Sequence, residues 1–143
     1  MKKNNILILS AGRRVELVQD FQAEAAKFSD GTKILCTDLN PKMSSACQAA
    51  DGAFAVPRIS APDYIDSIFE LAQAQNIGLI IPTIDTELLK LADARARFAA
   101  AGIQIVVADS ALIRQCRDKR DTIALFERHG ITSPAIYTPY NIT

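Results

Sequence analysis

Short runs of branched apolar residues alternate with stretches of helical periodicity along the chain, and that alternation leaves few folds open. Asn5-Ile6-Leu7-Ile8-Leu9-Ser10 reads as a strand buried on both faces, and Gly12 marks a turn. Residues 13–28 then carry Leu17, Val18, Phe21 and Ala25 at helical spacing. Asp30-Gly31 breaks that helix, and Lys33-Ile34-Leu35-Cys36-Thr37 is a second strand. Asn40-Pro41 opens a short helical piece over 44–50, and Phe54-Ala55-Val56 is a weak third strand ended by Pro57. Ser60-Ala61-Pro62-Asp63 combines a capping serine, an early proline and an acid. It predicts a helix start, with Ile65, Ile68, Phe69 and Ala72 buried as far as Gln75. Residues 78–82 form the fourth strand, 85–101 an alanine-rich helix stopped by Gly102, and 103–107 the fifth strand. Asp109-Ser110 caps a helix to Arg117, a further helix covers 118–128 with Gly130 as its stop, and 131–137 is extended around Pro134.

Repeated strand–helix alternation predicts a parallel sheet with right-handed crossovers. The expected fold is α/β, a Rossmann-like, doubly wound, mainly parallel sheet of five strands with helices on both faces. The 143 residues suffice for one such domain, expected over 1–137. Residues 138–143 are expected to begin a linker, because Ile136, Tyr137, Tyr140 and Ile142 keep the tail apolar. A docked sixth strand would use the same residues.

Composition removes several function classes. Sixteen Lys and Arg balance sixteen Asp and Glu, so the basic face of a non-specific nucleic-acid binder is not expected. With no Trp and 6% aromatics, a base-stacking platform is not expected either. No apolar run approaches the ~20 residues of a membrane helix. The run after Met1-Lys2-Lys3 is too short for a secretory signal, and a cytoplasmic location is expected. Cys36, Cys47 and Cys116 form no CxxC pair, so neither a disulfide framework nor a zinc site is expected. Cys36 reads as a core residue. The single histidine, His129, sits beside Gly130 as a helix C-terminal residue, which leaves Ser-His-Asp chemistry without parts. Met43, Tyr64 and Phe98 read as packing.

Ligands of open α/β sheets bind beyond the carboxyl ends of the strands, where strand order reverses. Ser10-Ala11-Gly12-Arg13-Arg14 falls there, and a glycine turn, a helix N-terminus and two arginines suit an anion. The same residues serve equally as a turn with solvated arginines. A dinucleotide-binding loop would need three glycines where this one has Gly12 alone, although Asp38 stands near the place of a ribose-binding acid. In Pro82-Thr83-Ile84-Asp85-Thr86-Glu87, Asp85 can cap the helix and Glu87 suits its dipole. Alternatively, both can bind an ammonium group or a metal-bound substrate, or pair with Arg13 or Arg14. A basic cluster, Arg114, Arg117, Lys119, Arg120 and Arg128, follows, in which Lys119 is placed to reach a phosphate.

Taken in order and spacing, several segments resemble the N-terminal, pre-ATP-grasp domain of ATP-grasp enzymes, especially carbamoyl-phosphate-synthase-like proteins. They are Ile6-Leu7-Ile8-Leu9-Ser10-Ala11-Gly12-Arg13-Arg14, Thr37-Asp38-Leu39-Asn40-Pro41, Asp51-Gly52-Ala53-Phe54-Ala55-Val56-Pro57 and Ile81-Pro82-Thr83-Ile84-Asp85-Thr86-Glu87-Leu88. Asp118-Lys119 and Gly130-Ile131-Thr132-Ser133-Pro134 complete the resemblance, which spans nearly the whole chain.

It implies a ligase in which ATP phosphorylates a carboxylate and an amine or thiol attacks the acyl phosphate. The N-terminal domain of such enzymes helps hold the non-nucleotide substrate, while later domains hold ATP and magnesium. By motif position, Gly12, Arg13, Arg14, Asp38, Asp85 and Glu87 would face a carboxylate or amine substrate, and Lys119 would touch the ATP phosphates. No ATP-grasp domain is present in the sequence, so this chain is expected to be a fragment that does not ligate by itself. An apolar patch is expected where the missing domain, or a second copy in a homodimer, docks. Two other readings carry their own tests. A stand-alone module binding a small anionic metabolite would lose its affinity on replacement of Arg13 and Arg14 by alanine. A nucleotide-dependent oxidoreductase would show a melting shift with NAD(P)H.

Overall fold

The computed structural model describes residues 4–28, 31–135 and 137. The chain divides into two compact units, Met1–Val107 and Ala108–Thr143. The first contains strands β1 (Asn5–Ile8), β2 (Ile34–Asp38), β3 (Gly52–Ala55), β4 (Ile77–Ile81) and β5 (Gln104–Ile105). Its helices are α1 (Val15–Ala25), α2 (Ser45–Ala49), α3 (Tyr64–Ala74) and α4 (Asp85–Ala100), with short 3₁₀ turns at Ala26–Phe28 and Pro41–Met43. The second unit contains α5 (Ser110–Arg117) and α6 (Lys119–Arg128).

All strand pairings are parallel, in the order β3-β2-β1-β4-β5. Leu7 stands opposite Leu35 on one side and Ile80 on the other, so β1 is the centre from which the chain first moves outward one way and then returns to build the other way. The period of two sorts the apolar residues between the faces. Leu7, Leu9 and Leu35 join a core with Ile68 and Ala72 of α3 and Leu91 and Phe98 of α4. Ile8, Ile34 and Cys36 join the opposite core with Val18 of α1 and Ala46 and Cys47 of α2. The expected doubly wound α/β fold, with helices on both faces, is therefore present.

Several boundaries differ from expectation. The helix predicted from Ser60 begins at Tyr64, and its N-cap, Asp63, makes no side-chain capping bond. The preceding residues form turns closed by Ala61 N–H to the Arg58 carbonyl (2.8 Å) and Tyr64 N–H to the Ala61 carbonyl (3.3 Å). Lys90 Nζ from α4 holds that stretch in place, donating to the Ile59 carbonyl at 2.5 Å and the Ala61 carbonyl at 3.5 Å. The predicted fifth strand shrinks to two residues, because Val107 N–H turns back to the Ile105 carbonyl (2.9 Å) just after the last pairing with β4. Met43, read as packing, is 82% exposed, since the 3₁₀ turn that carries it presents it outward. Phe98 is fully buried as read, edge-on to Phe69 at 5.0 Å. Among residues 131–135 and 137 no strand forms. The linker expected at 138–143 lies outside the described residues.

Each helix of the second unit has its own cap. The Asp109 side chain accepts Leu112 N–H at α5, and that of Asp118 accepts Arg120 N–H at α6. Gly130 (φ +66°) ends α6, with Ile131 N–H reaching back to the Phe126 carbonyl at 2.9 Å. His129 is the C-cap, as its place beside Gly130 suggested.

Candidate functional site

The loop leaving β1 turns sharply, with Ser10 (φ +50°) and Gly12 (φ +57°) both left-handed. A non-glycine residue there is strained by its Cβ, and the surrounding bonds hold it. Ala11 N–H donates to the Thr37 carbonyl (3.0 Å) and Gly12 N–H to Asp38 Oδ2 (3.2 Å). The Gly12 carbonyl accepts from Ser44 Oγ (2.7 Å) and Ala46 N–H (3.1 Å). On the other side, Thr83 Oγ1 bonds the Leu9 and Ser10 carbonyls at 2.8 and 2.9 Å. The loops after β1, β2 and β4 are thus tied together at the place where strand order reverses.

Beneath this seam lies Glu87, in the first turn of α4 and 0% exposed. Four donors converge on it. Oε1 accepts Thr83 N–H (3.0 Å) and Ile84 N–H (3.4 Å), while Oε2 accepts Ser10 Oγ (3.0 Å) and Tyr64 OH (2.8 Å). A buried carboxylate must replace its lost water, and these bonds together with the helix N-terminus do so. Burial, and then the neighbouring Glu87 charge, push the Tyr64 hydroxyl pKa upward, so Tyr64 stays a neutral donor to Glu87.

Ser10, Asp38, Tyr64 and Ile84 line a cleft of 430 Å³ whose outer wall is residues 56–60. Arg58 stands exposed on that wall. This is the crevice at the carboxyl ends of the strands where open α/β sheets hold ligands.

The sequence-derived residues divide within this geometry. Asp38 lines the cleft, but its oxygens already accept Gly12 N–H and, at 3.1 Å, Asn40 N–H. Arg14 directs its guanidinium to the carbonyls of Thr83 (2.9 Å) and Ser10 (3.4 Å), bracing the β1 and β4 loops rather than meeting a carboxylate. Arg13 is exposed, and its side chain bonds none of the described residues. Asp85 is also exposed and does not cap α4, whose N-cap is Ile84. Glu87 lies underneath, bonded to the cleft-lining Ser10, Tyr64 and Ile84. Lys119 is the exposed first residue of α6, in the second unit. Tyr64 is buried in the core as its packing role implied, but its hydroxyl bond to Glu87, like the bonds of Thr83, carries no signal in the sequence. Their hydroxyl partners are distant in sequence, and apolar periodicity does not register them.

Among the described residues, no group of three or more His, Cys, Asp or Glu side chains could hold a metal ion. No helix among them is long and apolar enough to cross a membrane.

Comparison with known proteins agrees with this architecture. The family of PylC-like N-terminal domains matches residues 6–106. No curated protein matches the sequence. Among solved structures, a single-chain, multi-domain long-chain acyl-CoA carboxylase superimposes with TM-score 0.62 at 18% identity, over 92% of this chain and 13% of that one. The biotin carboxylase domain of a single-chain bacterial carboxylase gives TM-score 0.58 at 24% identity, over 88% of this chain and 29% of that one. Glycinamide-RNase-transformylase T from Mycobacterium tuberculosis gives 0.60 at 13% identity, over 87% and 35%. The chain therefore spans about a third or less of the length of each. From its matched residues and its parallel sheet, the chain belongs to the PylC-like N-terminal domain family and has the fold of the pre-ATP-grasp domains of ATP-grasp enzymes.

Proposed function

We propose that this chain is the substrate-side domain of an ATP-dependent carboxylate–amine ligase of the ATP-grasp, carbamoyl-phosphate-synthase-like kind. The observation that carries the reading is the 430 Å³ cleft at the strand-order reversal of a domain from this family. In such a ligase ATP supplies the phosphoryl group that activates the carboxylate, and the amine then displaces phosphate. The part of this chain is to present the non-nucleotide substrate from the cleft between Ser10, Tyr64 and residues 56–60.

ATP and magnesium are assigned mainly to a further domain, because the described residues do not offer them a built site. The Ala11 and Gly12 amides that could cradle a phosphate are bonded to Thr37 and Asp38. Lys119, exposed at the start of α6, is proposed as the contribution of this chain to the ATP phosphates. The short coverage of the neighbouring structures supports a longer parent protein.

The test is the intact mass of the native protein in its source cells, set against 15.6 kDa. A parent larger by one or two domains of roughly 100–200 residues each is expected. ADP release that depends on both a carboxylate and an amine is expected from that parent and not from the isolated chain. A native mass of 15.6 kDa with no companion subunit overturns the assignment, and so does ligation by the isolated chain.

A further inference from the structure

The hydrogen bonding around Glu87 fixes the polarity of the cleft that it does not itself touch. Each hydroxyl has one proton. Ser10 and Tyr64 both direct theirs to Glu87 Oε2, at 3.0 and 2.8 Å. The other oxygen of Glu87 is occupied by two backbone N–H groups. With four donors around the carboxylate, neither hydroxyl has a proton left to offer a ligand, while each keeps lone pairs. Both residues line the cleft, beside the Asp38 carboxylate. The inner end of the cleft therefore offers acceptors, and the one cation among its described lining residues, Arg58, lies exposed on the outer wall.

We infer that Glu87, acting through Ser10 and Tyr64, makes this cleft selective for a ligand that enters ammonium group first, with any anionic group directed outward to Arg58. This rests on the cleft being the substrate site proposed above. Glu87 is a positioning residue here, since it is wholly buried and orders the two hydroxyls. An anionic group directed inward would face two hydroxyls without available protons and a carboxylate, and would lose its water without compensation.

The prediction is specific to Glu87→Gln. The amide oxygen of the glutamine can keep the two backbone N–H bonds, but its NH₂ then faces Ser10 and Tyr64 as a donor. Both hydroxyls must turn their protons elsewhere, the cleft becomes their outlet, and its polarity inverts. Tyr64→Phe keeps the ring and removes one acceptor.

The experiment is amide NMR of the ¹⁵N-labelled chain titrated with n-butylammonium chloride and, separately, sodium butyrate, two probes of similar size and opposite charge, at matched ionic strength. In the wild type, n-butylammonium should shift the amides of Ser10, Leu39, Ile59 and Ile84 saturably, with butyrate at least tenfold weaker. Tyr64→Phe should weaken n-butylammonium several-fold, and Glu87→Gln should reduce the preference to near parity or reverse it. If Glu87→Gln does not fold, Tyr64→Phe and Ser10→Ala decide the matter, each expected to narrow the preference. Butyrate binding in the wild-type cleft as tightly as n-butylammonium overturns the inference and leaves the substrate-cleft reading standing. So does a preference unchanged in folded variants, which would make Glu87 merely structural. Failure of both probes to shift the cleft amides overturns the inference and the substrate-cleft reading together.

Discussion

Tyr64 and Glu87 meet at 2.8 Å across 23 residues of sequence, with both side chains buried. Tyr64→Phe leaves the ring packing intact but removes one of four bonds to a buried carboxylate, so unfolding free energy should fall by about 1.5–3 kcal/mol in urea titration. At Gly12 a Cβ would lie 3.5 Å from Arg14 Nη1 and 3.7 Å from the Ser10 carbonyl, which is ordinary contact. The cost of Gly12→Ala therefore comes from φ +57° alone and should be about 1–2 kcal/mol by the same measurement. The cysteines divide by burial. Burial, then Cys47 and Asp51, push the Cys36 thiol up to about 12, and burial also raises that of Cys47. At pH 8 iodoacetamide should label exposed Cys116 in the native protein and reach Cys36 and Cys47 only after denaturation, as peptide mass mapping would show. Sequence alone placed Cys36 in the core because its strand is apolar. It gave Tyr64 no polar role, because a hydroxyl partner on another helix leaves no local pattern.

Just ahead of α3, the wall of the cleft is cross-linked to α4. Lys90 Nζ holds the Ile59 and Ala61 carbonyls, and among the described residues no carboxylate takes part. Lys90→Met keeps the apolar stem and removes the ammonium. Amide exchange over residues 58–61 should then accelerate by about tenfold or more, while that of β1 and β4 stays unchanged. Equal exchange in the two proteins would show that the turns hold themselves. At α6 the Asp118 carboxyl is held down to about 2 from its ordinary 3.8, first by the Arg120 side-chain bond and then by the Arg120 backbone N–H. The depressed value sets the sign: this cap supports α6 fully above pH 3.8 and is lost as pH falls through about 2. In carboxyl NMR, Arg120→Ala should move the Asp118 midpoint upward toward 3.8. Asp109 was legible as a cap because its bond is local, three residues long; Asp118, read as the first residue of its helix, is that helix's cap by an equally local bond, two residues long. The start of α3 was not, because Ser60 and Pro62 carry the signals of a cap while Lys90, far along the chain, holds the same residues in turns.

At the scale of the whole molecule, β1 is central, and its Leu7 is wholly buried between neighbours on both sides. Leu7→Ala should cost about 2–5 kcal/mol, read from the chemical denaturation midpoint, because the surrounding sheet cannot close the cavity. Sequence by itself determined the α/β class, the number of strands and the two-sided core, because period-two and period-3.6 burial and turn residues act within a few residues; the family came instead from the resemblance of ordered segments such as Ser10–Arg14 and Ile81–Leu88. Sequence also located the crevice loops, since carboxyl ends follow from strand–helix order. Only the tertiary structure decided what those loops do. The order β3-β2-β1-β4-β5 brings Ser10 to Glu87 across 77 residues, sends Arg14 to the Thr83 carbonyl across 69, and binds Gly12 to Asp38 across 26. A hydrogen bond needs its partner within about 3 Å, and at such separations it is the arrangement of strands, rather than the residue type, that supplies one.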